Sequence, residues 1–95
     1  MINVALFGLG RIGQMHGENL NAHKKFNLKY TFDIDKNLSK KISKKFNAIA
    51  IDNPKTIFQD KDVNIVFIAS STPTHINLIN EATKHKKIVF CEKPL

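Results

Sequence analysis

Three glycines near the amino terminus have the spacing of a phosphate-binding turn. Gly8, Gly10 and Gly13 match the pattern G-x-G-x-x-G, directly after a largely apolar run and at the start of a predicted helix. They would permit a tight turn, close approach of the backbone to a diphosphate, and close packing of helix against strand. We expect the helix start, at Arg11 and Ile12, to offer its N–H groups to phosphate oxygens. A tight turn without a ligand is the alternative.

An aspartate follows this turn at the distance expected for a dinucleotide site. Asp33 lies 20 residues after Gly13, at the end of the second predicted strand. A carboxylate there can accept hydrogen bonds from the adenosine ribose and repel the 2′-phosphate of NADP. The predicted cofactor is therefore NAD. Asp33 could instead be a loop residue or a helix cap, but Asp35 already supplies a cap for the next helix.

Hydroxyl side chains follow the fourth predicted strand, on the same edge of the sheet as the glycine turn. Ser70, Ser71, Thr72 and Thr74 could line the cofactor there. One of them must cap the following helix, and capping alone is the alternative for each. His75, in the first turn of that helix, would lie near the nicotinamide ribose or be an ordinary surface residue.

A glutamate and a lysine leave the fifth predicted strand on the same edge. Lys93, next to Glu92 and held by Pro94, could donate a hydrogen bond to a substrate hydroxyl or carbonyl oxygen. Burial would lower its pKa and suit it to proton chemistry. A surface lysine is the alternative. The spacing of the histidines, Cys91 and the carboxylates predicts no metal site.

Alternating apolar runs and helical patterns predict the element order β-α-β-α-β-α-β-α-β. The predicted strands cover residues 2–7, 28–32, 48–51, 64–69 and 88–91. The first three helices between them begin at about residues 11, 36 and 54, and residues 70–75 form a polar turn into the fourth. In the first helix, Ile12, Met15 and Leu20 should face inward, and Gly17 should be a mild penalty. The simplest fold is a Rossmann-type, doubly wound parallel α/β sheet.

Length and composition indicate an ordinary globular domain. The chain has 95 residues, 42% of them hydrophobic and 24% charged. Its longest apolar run is far below the roughly 20 residues that cross a bilayer, so no membrane partner is expected. The single cysteine, Cys91, cannot form an internal disulfide, which favours a reducing cytoplasm. We expect it to be a small buried side chain.

The net charge of +7 raises the question of whether the chain binds nucleic acid. Arg11 is the only arginine, although arginine is the usual reader of guanine edges. The lysines are scattered, mostly on the outer faces of predicted helices. No nucleic-acid partner is therefore predicted.

The fifth predicted strand ends where the chain ends. It would be an uncovered sheet edge, which is a liability. We therefore expect residues 1–95 to be an incomplete dinucleotide-binding domain, with a substrate and catalytic domain beyond it.

Four segments together resemble the Gfo/Idh/MocA oxidoreductases, in order and over all 95 residues. They are residues 4–13 with His16, residues 32–35, residues 70–75 and residues 91–95. The Glu-Lys-Pro of the last segment is the most specific of these signatures.

The resemblance implies a two-domain enzyme that moves a hydride between nicotinamide and a carbon of a polyol or sugar. Lys93 would match the family's active-site lysine and His75 its histidine beside the cofactor. The family's second domain supplies an aspartate and a proton-accepting histidine, and its large sheet usually joins subunits into a homo-oligomer. This sequence ends before those residues. A non-catalytic NAD-binding module, or a truncated product, is the rival interpretation.

Overall fold

A computed structural model describes residues 1–69 and 72–91, and the side chains of those residues except 72–76. Five strands alternate with four helices, which confirms the predicted element order. The strands are β1 (Ile2–Phe7), β2 (Phe26–Phe32), β3 (Ile49–Ala50), β4 (Ile65–Ile68) and β5 (Ile88–Cys91). The helices are α1 (Arg11–Ala22), α2 (Lys36–Phe46), α3 (Pro54–Gln59) and α4 (Thr72–Lys84).

The strands form one parallel sheet in the order β3-β2-β1-β4-β5. The chain runs outward from β1 in one direction and then returns to add β4 and β5 on the other side. From β2 the chain continues to β3 on one side of β1, and from β4 it continues to β5 on the other side. Sheets of this type bind ligands in the crevice beside β1, where the direction reverses. The doubly wound prediction is confirmed.

Helices cover both faces of the sheet, so the central strand is buried on both sides. Residues Val4 to Phe7 have no exposed surface. One core layer joins Phe7 and Ile68 to Ile57 of α3 and Ala82 of α4. The other joins Leu6 and Leu28 to Ile42 and Phe46 of α2. Burial on both faces explains why β1 and β4 are nearly continuous apolar runs.

Short-range signals in the sequence set the starts of α2 and α3. Asp35 caps α2, and its Oδ1 accepts a hydrogen bond from Leu38 N at 3.1 Å. Asn53 caps α3 through Lys55 N at 3.0 Å, with Pro54 at the first helical position. Both caps were expected from the sequence.

The strand bounds differ from those predicted at several ends. The second strand begins two residues early, at Phe26, because Phe26 and Asn27 pair with Ile2 and Asn3. Asn27 Nδ2 also donates to Asn3 Oδ1 at 2.9 Å. These contacts join residues far apart in the chain, so no local pattern predicts them.

The inward face of α1 differs from the prediction. Met15 is 51% exposed, whereas Gly13 and Gly17 are buried. A Cβ on Gly17 would lie 2.6 Å from Cε2 of Phe46 in α2. The helix therefore turns its small residues toward its neighbours, and Gly17 is required by packing rather than tolerated as a helix penalty.

The fifth strand carries several exposed side chains. Cys91 is exposed, which contradicts the prediction of a buried thiol. Ile88 and Phe90 are 59% and 53% exposed. These side chains are accessible because β5 is the last strand in the sheet order.

None of the described helices is long and apolar enough to cross a membrane.

Candidate functional site: a glycine turn and a carboxylate at one cleft

The connection between β1 and α1 is a tight turn that starts at a glycine. Gly8 has φ 94°, in the left-handed region that residues with a Cβ seldom adopt. Its N–H donates to the carbonyl oxygen of Phe32 at 2.8 Å, which ties the turn to the end of β2. The turn thus lies between the carboxyl ends of two neighbouring strands.

The other two glycines of the motif face opposite kinds of surroundings. A Cβ on Gly13 would lie 1.9 Å from the Gly8 carbonyl oxygen, so helix and turn are in direct backbone contact. A Cβ on Gly10 would meet no protein atom within 4 Å. Gly13 is therefore fixed by the fold, whereas the absence of a side chain at Gly10 leaves the turn open to an approaching group.

The open start of α1 suits an anion. Gly10 is the N-cap and has no side chain that could accept from the helix N–H groups. The first internal bond runs from Gln14 N to Gly10 O at 2.8 Å. The N–H groups before it, at Arg11, Ile12 and Gly13, have no partner within the helix. The residues present therefore fit a diphosphate, which such N–H groups and the helix dipole favour.

Asp33 stands beside this turn and is held by it. Its Oδ2 accepts a hydrogen bond from Leu9 N at 2.7 Å, and its Oδ1 accepts one from Asp35 N at 2.9 Å. Each carboxylate oxygen has a second lone-pair direction that can accept another donor. The structure therefore places Asp33, which is predicted to bind the ribose, next to the predicted diphosphate turn, although Asp33 and Leu9 are 24 residues apart in the chain.

A cleft of about 500 Å³ opens between the turn and Asp33. Its walls are mostly apolar, and the rings of Phe7 and Phe32 lie together with centroids 5.7 Å apart. The lining residues are Phe7, Gly8, Gly10, Phe32, Asp33, Ile34, Pro54, Ala69, Asn77 and Leu78. A mostly apolar cleft with a few directed polar groups is the usual form of a cofactor site.

Sequence reasoning missed some residues of this cleft. Ile34 is 80% exposed, and an exposed isoleucine directly after the key aspartate was the signal that could have identified it. Gln14, which bonds to the glycine turn and does not line the cleft, was also missed: its Nε2 donates to the Leu9 carbonyl oxygen at 2.9 Å. Its position one residue after the glycine motif gives no hint of that bond.

Several predicted site residues cannot be placed. Ser70, Ser71, Glu92 and Lys93 lie outside the described residues. Thr72 and His75 belong to the first turn of α4, but their side chains are not among those described. The described part of α4 that reaches the cleft is Asn77 and Leu78.

A second carboxylate lies in a polar cluster at the amino edge of the sheet. Asp60 Oδ2 accepts from Lys29 Nζ and from the Tyr30 hydroxyl, both at 2.7 Å. These two bonds lower the pKa of Asp60 from 3.8 to about 2. Lys87 Nζ donates to the Asp60 carbonyl oxygen at 2.5 Å. Asp60 is hydrogen-bonded to two side chains of β2 and to Lys87 just before β5, so it connects these two strands.

No group of three or more potential metal-ligating side chains lies together within the part of the chain that the structure describes. The single cysteine and the carboxylates discussed above are spread over both edges of the sheet. The described site is therefore built from backbone N–H groups, one carboxylate and apolar side chains.

Comparison with protein families gives a match over almost the whole chain. The family described as an oxidoreductase family with an NAD-binding Rossmann fold, Gfo/Idh/MocA, matches residues 2–95. The chain belongs to this family. The family resemblance predicted from the four motifs and the prediction of NAD as the cofactor are both confirmed.

Individual relatives agree with this assignment. Myo-inositol 2-dehydrogenase of Thermotoga maritima is 36% identical over 99% of this chain and 28% of its own length. The structure of a myo-inositol dehydrogenase from Corynebacterium glutamicum superimposes with a TM-score of 0.92 at 32% identity, over 99% of this chain and 28% of that one. GenD2 from gentamicin A biosynthesis, solved in complex with NAD, gives a TM-score of 0.93 at 25% identity over 97% and 26%. The chain thus spans little more than a quarter of these relatives.

Proposed function

We propose that this chain binds NAD across the cleft, as the nucleotide-binding part of an oxidoreductase acting on a secondary hydroxyl of a polyol or sugar. The observation that carries the proposal is the contact between Asp33 and the glycine turn at the edge of one cleft. The similarity to inositol dehydrogenases supports a polyol of the inositol type as substrate.

The protein's contribution to binding is electrostatic and geometric. The N–H groups of Arg11, Ile12 and Gly13 would bind the diphosphate, and Gly10 would let it approach the backbone. Asp33 would accept the hydroxyls of the adenosine ribose. The apolar walls beside Ile34 and Pro54 would cover the flat, weakly polar adenine.

The carboxylate of Asp33 would also select between the two nicotinamide coenzymes. Its two oxygens are fixed by Leu9 N and Asp35 N, so the charge cannot rotate away from an incoming 2′-phosphate. Like charges held close together in a site of low polarity repel strongly. NAD should therefore bind more tightly than NADP.

Catalysis would require groups beyond the described residues. In the whole protein, NAD supplies the hydride acceptor. Lys93 would hold the substrate oxygen, His75 would lie beside the cofactor, and Ser70, Ser71, Thr72 and Glu92 would line it. The hydroxyl proton would pass to a base in a second domain, after residue 95. We also propose that the whole protein is a homo-oligomer in the cytoplasm.

Coenzyme titrations of the wild-type chain and Asp33→Ala test the binding proposal. The wild type should bind NAD at least about tenfold more tightly than NADP, because one unfavourable charge contact of about 1.4 kcal/mol gives that factor. Asp33→Ala should lose most of this preference. Calorimetry on samples shown to be folded by circular dichroism measures both affinities.

The matched control is Asp35→Ala, which removes a neighbouring carboxylate that caps α2. It should lower stability by about 1 kcal/mol and keep the NAD preference. Equal affinity of the folded wild type for NAD and NADP, or no binding of either, would contradict the proposal.

A further inference from the structure

Leu9, the central residue of the glycine turn, is held at three points. Its N–H donates to Asp33 Oδ2 at 2.7 Å, and its carbonyl oxygen accepts from Gln14 Nε2 at 2.9 Å. Its side chain has no exposed surface and packs in the core layer with Ile42 and Phe46. The peptide groups on both sides of Leu9 are thus each fixed by a different side chain.

The flanking residues explain why such fixing matters. Leu9 lies between Gly8 and Gly10, and glycine has more backbone freedom to lose than any other residue. If the turn were mobile, a diphosphate would have to order it on binding, and that cost would weaken the affinity. A turn that is already fixed binds without this cost.

We propose that Gln14 and Asp33 form a clamp on Leu9 that holds the turn in its diphosphate-binding shape. Gln14 is a positioning residue that acts through Leu9, and Asp33 has a second role besides its contact with ribose. This inference rests on the proposed function, because it assumes that the turn receives the diphosphate of a dinucleotide.

The clamp makes a prediction opposite to that of simple charge repulsion. Neutralising a carboxylate near an anion normally strengthens anion binding. If Asp33 holds the turn, Asp33→Asn weakens diphosphate binding, because an amide cannot accept from both Leu9 N and Asp35 N with the same geometry. The direction of the change therefore separates the two effects.

The experiment compares the affinities of adenosine and ADP for the chain of residues 1–95, by NMR titration. Both ligands carry the ribose, but only ADP carries the diphosphate, so their affinity ratio isolates the turn. Gln14→Met keeps a similar length and loses the donor to Leu9 O. We expect the ratio of ADP affinity to adenosine affinity to fall about 5- to 10-fold in Gln14→Met, and this ratio should also fall in Asp33→Asn. The adenosine affinity of Gln14→Met should stay within about twofold of wild type.

Asn21→Met is the matched control, since it removes an amide from an exposed position of the same helix. It should leave the ratio unchanged, and a purely structural role of Gln14 would change both affinities together. An unchanged ratio in Gln14→Met, or a raised ratio in Asp33→Asn, would overturn the clamp. The proposed function would still stand in that case if the wild type bound ADP. Absence of ADP binding to folded wild type would overturn both.

Discussion

Two aspartates at opposite edges of the sheet have very different partners. At the amino edge, Asp60 is bonded to the Lys29 ammonium and the Tyr30 hydroxyl. At the carboxyl edge, both oxygens of Asp33 accept backbone N–H groups and its side chain lines the open cleft. Asp60 thus has a cation at bonding distance, whereas the contacts that fix Asp33 are to neutral groups.

The difference shows how one residue type serves two purposes in a small α/β domain. Pairing with a cation favours the ionised form and makes Asp60 a link between β2 and the segment before β4. Backbone donors orient Asp33 without neutralising it, so its charge remains able to select a ligand. A carboxylate held by backbone at a cleft is therefore the better candidate for recognition, and one paired with lysine is the better candidate for stability.

The largest effect is expected from a substitution of Gly13, at the carboxyl edge of the sheet. In Gly13→Ala the new Cβ would lie 1.9 Å from the Gly8 carbonyl oxygen, so α1 must move away from the turn. We expect destabilisation of at least about 3 kcal/mol, above the usual cost of overpacking because the obstacle is backbone, and loss of NAD binding. Chemical denaturation and calorimetry measure the two effects.

Gly10→Ala is the matched control for Gly13→Ala, since its Cβ would meet no protein atom within 4 Å. Its stability should stay within about 0.5 kcal/mol of wild type, while its NAD affinity falls at least about tenfold because the methyl group occupies the approach of the diphosphate. Unchanged NAD affinity in Gly10→Ala would mean that the ligand does not approach this part of the turn.

An intermediate effect is expected from Asp60→Asn, which should alter stability and leave coenzyme binding unchanged. The folded-state pKa of Asp60 is lowered to about 2 from 3.8, so its stabilisation is present above about pH 4. That stabilisation is lost as the pH falls from about 4 toward 2. Asp60→Asn should cost about 1–2 kcal/mol at pH 7 and flatten the acid dependence of unfolding in this window.

Urea denaturation between pH 2 and pH 7 measures this dependence, and NAD titration at pH 7 provides the comparison with Asp33. If Asp60→Asn weakened NAD binding as much as Asp33→Ala, the separation of structural and recognition carboxylates would be wrong.

The elements of the fold were predictable because their signals are local. The unbroken apolar run of β4 predicts burial on both faces, and Asp35 and Asn53 predict helix starts. The glycine motif directly after β1 predicts the turn. Each of these features depends on residues that are close together in the sequence, so the sequence alone predicts it.

The features that could not be predicted depend on residues far apart in the sequence. Met15 is exposed because Gly17 brings α1 close to Phe46 of α2 and sets which side of the helix faces inward. The bonds of Asp60 join it to Lys29 and Tyr30, about 30 residues earlier. Polar side chains give no periodic signal for such contacts, so the amino-edge cluster was not foreseen.

The smallest expected effect tests whether the apolar wall of the cleft contributes to recognition. Ile34 is 80% exposed and lines the cleft next to Asp33, so Ile34→Ala should leave stability within about 0.5 kcal/mol of wild type. A ligand that covers the isoleucine would lose apolar contact area, and NAD affinity should fall about 3- to 10-fold at about 25 cal/mol per Å². Ile49→Ala, at a 54% exposed position on β3 that does not line the cleft, should leave the affinity unchanged. Calorimetric titration of both variants decides the point: equal affinities would mean that Ile34 stays exposed in the complex, and that recognition at this edge depends on Asp33 and the glycine turn.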